Sequence, residues 1–102
     1  MPNRSKQKGA RFELEIVGLL QAGGLDAEKV PLSGAIKGGS FEGDIDCLVR
    51  GVKRKLECKR RKRGCTTYYG FMEGNYAVVM RDDRTPPLIM LRLDDFIELV
   101  RA

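Results

Sequence analysis

The stretch from Asp44 to Lys59 constrains the fold more than any other, because polar and apolar side chains alternate on both sides of a turn at Arg50-Gly51-Val52. Such runs read as two strands, Asp44 to Val49 and Lys53 to Lys59, joined as a hairpin. Successive side chains of a strand point to opposite faces. With an even number of loop residues, paired positions sum to an odd number, which puts Asp44, Asp46, Glu57 and Lys59 on one face. Ile45, Cys47, Val49, Val52, Leu56 and Cys58 then fall on the other, with Arg54 as the exception. That second face is expected to be core, which accounts for Cys47 and Cys58 as packing.

Met1 to Lys8 is polar and basic without apolar periodicity, and is expected to be a mobile arm suited to touching phosphates. From about Ala10 to Ala22, Phe12, Ile16, Val17, Leu19 and Leu20 recur at helical spacing, and Gly23-Gly24 supplies the stop. At about 100° per residue the apolar arc centres between Ile16 and Leu20, with Glu13 inside it and Glu15 outside. Glu13 should therefore point inward, where a carboxylate is costly unless paired or metal-bound. A short strand around Glu28 to Leu32 leads into the flexible connection Ser33 to Ser40. Beyond the hairpin, Thr66 to Met72 reads as a short helix, and Tyr76 to Met80 and Leu88 to Leu93 as strands. Asp94 is placed to cap a final helix through Val100. This order predicts an α/β sheet flanked by helices. One domain over residues 9–102, preceded by the arm of residues 1–8, fits a chain of 102 residues.

Charge narrows the partners. Nineteen Lys and Arg against fourteen Asp and Glu give +5, concentrated in two blocks. Arg4, Lys6, Lys8 and Arg11 precede any acid, and Lys53 to Arg63 holds eight basic residues against Glu57 alone. Two such blocks favour a polyanion. Lys6, Lys8, Arg11, Lys37, Arg60, Arg61, Lys62 and Arg63 are the candidate nucleic-acid contacts. The chain has no histidine, which excludes Ser-His-Asp and Cys-His schemes and leaves carboxylates and lysines to carry acid-base or metal chemistry. Three cysteines without C-x-x-C spacing argue against zinc fingers and disulfide frameworks. Reduced thiols, together with the lack of a long apolar run or a signal-peptide core, predict a soluble cytoplasmic protein.

The acids of the hairpin face, with Glu13 aimed inward from the helix, outline a cation site. Mg²⁺ and Mn²⁺ take carboxylate, carbonyl and water oxygens, usually with one or two protein carboxylates. Asp44 and Glu57 supply that pair, and the backbone carbonyl of Cys58 is a further candidate ligand. Lys59, two residues from Glu57, is placed to position a water or to neutralise developing charge on a phosphate. Asp46 reads as a supporting or solvent-facing residue rather than a ligand. Tyr68, Tyr69 and Phe71 read first as packing or a subunit contact, and second as base-stacking groups.

Gly43-Asp44, twelve intervening residues and Glu57-Cys58-Lys59 resemble the PD-(D/E)XK nuclease signature, with Gly43 in place of the usual proline. Lys8-Gly9-Ala10-Arg11-Phe12-Glu13 resembles the opening of archaeal-type Holliday junction resolvases, which carry a catalytic glutamate at the place of Glu13. The resemblance runs from about Lys8 to Arg63. It implies a restriction-endonuclease-like fold, with a central mixed sheet of about five strands flanked by helices. It also implies Mg²⁺-dependent cleavage by Glu13, Asp44, Glu57 and Lys59, and a symmetric dimer acting on four-way DNA junctions. Ser33 or Ser40 would match the serine of those sites, Ser40 being the better placed. Three other readings stand beside it. They are a duplex or flap endonuclease, a non-catalytic nucleic-acid-binding module, and, for the hairpin acids alone, a solvated edge with cross-strand ion pairs.

Overall fold

A computed structural model describes residues 4–30 and 44–101, with the backbone alone for residues 4–10 and for Asp44. Helix α1 (Arg4–Ala22) opens the chain. It begins ahead of the Ala10 start expected from the apolar periodicity, so the backbone of Arg4 to Lys8, expected as an arm, is helical. The intervening residues explain this extension, since Lys, Gln, Arg and Ala are all good helix formers and one Gly9 weakens but does not end a helix. The far end closes as expected. Gly24 takes φ +94, Gly24 N–H donates to the Gln21 carbonyl at 3.0 Å, and Leu25 N–H donates to the Leu20 carbonyl at 3.0 Å. This is a Schellman closure, with the usual apolar contact made by Leu20 and Leu25 in the core.

Three short strands form an antiparallel sheet in the order β1 (Ala27–Lys29), β2 (Asp44–Val49) and β3 (Val52–Glu57). The hairpin has the even loop that the parity argument needs. Asp44 pairs with Glu57, Ile45 with Leu56, and Val49 with Val52, leaving Arg50-Gly51 as the turn. Both turn residues have positive φ, 51 and 82, the conformation that matches the twist of the flanking strands. Along β2, Ile45 and Cys47 are fully buried while Leu48 is exposed, so the apolar face does meet the core. Val52, expected in that core, is exposed at the turn end instead. The core itself gathers Leu20, Ala27, Ile45, Cys47, Cys58 and Ile97, the last from helix α3 (Leu93–Arg101). Asp94 lies in the first turn of α3, where an acid complements the helix dipole, rather than at its cap.

Helix α2 (Thr66–Met72) stands where the sequence placed it. Strands β4 (Ala77–Met80) and β5 (Leu88–Leu91) pair with each other as a separate antiparallel sheet. The expected central mixed sheet of about five strands is therefore corrected: the described strands form an antiparallel three-stranded sheet and an antiparallel two-stranded one. The physical reason lies in β3, whose Lys53, Arg54 and Lys55 are all exposed. Consecutive charges on an outer strand discourage a further strand from adding to it.

Candidate active site and nucleic-acid interface

The end of the three-stranded sheet nearest the Asp44 backbone holds the β2 and β3 positions read from the sequence, while the Glu13–Lys29 pair lies on the neighbouring face that carries Ile45. Lys29, the last residue of β1, lies across from Ile45, the second residue of β2. Asp44 opens β2 and Glu57 closes β3, directly opposite it in register. From α1, Glu13 reaches this same end, with its Oε2 3.3 Å from Lys29 Nζ. Glu13 is 3% exposed and is the buried charged residue among those described. Its inward orientation follows the helical arc read from the sequence, since Leu20, one heptad on, is also fully buried.

Lys29 was missed by sequence reasoning, yet a signal for it existed. It is the one cation between Arg11 and Lys37, and a buried acid on α1 needs a positive partner on the strand packed beneath it. Ala27 and Lys29 share the face of β1 that meets α1, because Ala27 pairs with the buried Cys47 and Lys29 with the buried Ile45.

Lys59 lies beside Glu57, Nζ to Oε1 3.8 Å, with both side chains about half exposed. Asp46 pairs instead with Lys53 at 3.4 Å and borders a separate hollow with Asp26 and Glu28. Cys58 follows Glu57 and is buried in the core. Burial, and next the charge of Asp26, push the Cys47 thiol above its ordinary value, which suits a packing group and not a ligand. Ser33, Ser40 and Lys37 lie outside the described residues, as do the side chains of Lys6, Lys8 and Asp44. Arg11 is exposed on α1.

Among the described residues, which leave out the Asp44 side chain, no three acidic or thiol groups gather around one point. The backbone register bears on a metal more directly. Carboxylates at directly opposed positions of an antiparallel pair repel unless a cation offsets them. Asp44 and Glu57 occupy such positions, and their hard oxygen donors fit a Mg²⁺ or Mn²⁺ ion that completes its shell with water.

Beside this sheet end a cleft of about 330 Å³ opens between α1 and the segment leading into α2. Lys59, Arg60, Arg61, Lys62 and Arg63 line it, facing Phe12 and Glu15 of α1, with Cys65, Thr66 and Tyr69 completing the wall. Arg60 to Arg63 are exposed and form no ion pair among the described residues. A run of uncompensated cations in a concave surface is built for an external anion. Glu15, read from the sequence as a solvated surface residue, is exposed and lines this cleft.

Comparison with curated proteins and with solved structures gave no match. A family model does match, over residues 4–78, from the start of α1 into β4, a span that contains Glu13, Asp44, Glu57, Lys59 and the whole basic run. That span exceeds half of the chain, and the chain belongs to the family described as phage putative PDDEXK endonuclease, within the PD-(D/E)XK superfamily.

Proposed function

We propose that the protein is a metal-dependent endodeoxyribonuclease that resolves four-way DNA junctions by paired phosphodiester cleavage, as a homodimer acting in DNA recombination or repair. The observation that carries the nuclease reading is the opposed register of Asp44 and Glu57, with Lys59 3.8 Å from Glu57 and the basic cleft alongside.

Asp44 and Glu57 would hold Mg²⁺ or Mn²⁺, with Glu13 and the Cys58 backbone carbonyl as further oxygen donors. Such an ion supplies Lewis-acid polarisation of the phosphate and a lowered pKa for bound water. The chain's own residues supply the rest. Lys59 carries an ammonium beside Glu57, placed to orient the attacking water and to neutralise charge building on the phosphate oxygens. A P–O bond forms to that water, whose proton passes to solvent, while the P–O bond to the leaving sugar oxygen breaks and that oxygen takes a proton from solvent to leave as a hydroxyl. Arg60 to Arg63 grip flanking phosphates, with Arg11, Lys37, Lys6 and Lys8 extending the contact, and Ser40 is the loop serine that would complete the site.

Lys29 gives Glu13 a second role, since a cation already holds that carboxylate in place without a metal. What supports a second copy is the apolar β4–β5 hairpin, where Val79 and Ile89 face each other in register, 68% and 64% exposed. A C₂ dimer would present two sites to opposed strands of a junction. An intracellular location follows from a DNA substrate and from three free thiols, and no described helix is long and apolar enough to cross a membrane.

The test is cleavage of labelled four-way junction, flap, duplex and single-stranded DNA in Mg²⁺, Mn²⁺ or EDTA. Paired symmetric nicks across the junction are expected, lost in EDTA and in Asp44→Asn and Glu57→Gln, with junction binding largely kept by both variants. Cuts confined to linear ends or flaps would sink the junction reading and leave another structure-specific or duplex endonuclease. Metal-independent binding without product would leave a non-catalytic binding module.

A further inference from the structure

We infer that Tyr69 is a base-stacking residue, through which the basic cleft selects DNA that presents an exposed nucleobase face next to the phosphates it holds. This rests on the nuclease reading for its biological setting, and on the geometry of the cleft for its physics. Tyr69 is 77% exposed, the highest value among the described large hydrophobic and aromatic residues. A lone exposed tyrosine means little. Its position is what matters, because it forms part of the wall of the cleft that Arg60 to Arg63 line.

The three aromatic side chains of α2 divide between two tasks. Tyr68 and Phe71, three residues apart and so on one side of the helix, meet edge to face with ring centroids 6.5 Å apart. Tyr69, about 100° further round the helix from Tyr68, makes no ring contact among the described residues and lies at the cleft. Phe12, half-buried on the opposite wall, makes the floor partly apolar.

An open tyrosine ring beside unpaired cations is the combination that binds single-stranded nucleic acid: cations follow the phosphates while the ring takes the face of a base. A continuous duplex hides its base faces in the stack and cannot use the ring. Unpaired nucleotides, or base pairs laid open at a branch point, can. Tyr69 would therefore distinguish branched from continuous DNA without reading sequence, since every base has a π-face.

The experiment is equilibrium binding in EDTA, where no cutting competes, of wild type, Tyr69→Ala and Tyr69→Phe to two DNAs. One is a continuous duplex, and the other is a flap duplex with 2-aminopurine at the unpaired nucleotide next to the branch. Tyr69→Ala should bind the flap DNA about tenfold more weakly, the order expected of one lost base stack, with duplex affinity unchanged. The quenching of 2-aminopurine seen with wild type should disappear in Tyr69→Ala and persist in Tyr69→Phe, which keeps the ring. Equal loss on both DNAs would overturn the proposal in favour of a general contact or a folding role, and unchanged affinity on both would overturn it outright. Cleavage in Mg²⁺ is read separately. Tyr69-dependent quenching with no cutting would support the stacking proposal and defeat the nuclease reading instead.

Discussion

Taking a carboxylate into the layer between α1 and the sheet strips it of water, and Glu13, 3% exposed, is held there by Lys29 at 3.3 Å. Removing one partner of a fully buried pair is worth about 3–5 kcal/mol, because the remaining charge is left uncompensated. Lys29 keeps 42% of its side chain in solvent, so water screens part of that cost. We expect Lys29→Met to lower stability by about 1–3 kcal/mol when urea unfolding is followed in EDTA. If Glu13 also reaches the metal, Mg²⁺ should restore part of the loss, since a second cation then answers the same carboxylate. A variant that loses stability and ignores Mg²⁺ would make Glu13 a structural acid and confine metal binding to Asp44 and Glu57. Glu13→Gln separates the roles further, because the neutral amide removes the buried charge while keeping the shape.

The elements differ in how openly the sequence announces them. In the hairpin, period-two alternation and a Gly-containing turn were enough to give both strands and, on the condition of an even loop, the shared face of Asp44 and Glu57, while the even loop itself and their direct opposition came from the register. The stop of α1 was equally legible, because Gly24 at φ +94 does what few other residues can do at a helix end. Its start was not, since a run of Lys, Gln and Ala has helical propensity but no apolar stripe to reveal it. The place of β4 and β5 was also hidden. An apolar strand pattern says that a face is covered, but not which strand lies alongside, and the charges of β3 decided that question. For the site, the arc of α1 gave the direction of Glu13, whereas Lys29 emerged only once the β1–β2 register put it on the face toward α1. Packing between helices was likewise invisible: a Cβ at Gly23 would run into the Ile97 side chain, so α1 and α3 approach closely through that glycine. Overfilling a packed contact typically costs about 1–3 kcal/mol. Gly23→Ala should therefore shift the urea midpoint down by that order, and Ile97→Leu in the same chain, which removes the Cγ2 methyl in the way, should recover part of it.

At the scale of the whole molecule, a net charge of +5 has a direction because its cations are unevenly placed. Acids and bases neutralise one another in the ion pairs Glu13–Lys29, Asp46–Lys53 and Arg92–Asp95, while Arg60 to Arg63 have no such partner among the described residues. These cations line the cleft beside the Asp44 and Glu57 register positions, and a phosphate backbone drawn to them arrives next to the candidate metal ligands. Binding of this kind releases counterions from DNA, so its affinity falls with salt at about 0.9 log units per log unit of salt for each phosphate contacted. Neutralising a residue that touches phosphate reduces that slope by about one, whereas a residue important only for folding changes affinity without changing the slope in this way. Arg60→Ala with Arg61→Ala should lower the slope by about two for duplex and junction DNA alike, measured in EDTA between about 50 and 200 mM salt. Tyr69→Ala should leave it unchanged, because a stacked ring releases no ions. A double variant that weakens binding at every salt concentration with an unaltered slope would move the phosphate contacts away from Arg60 and Arg61, to other basic residues such as Arg11.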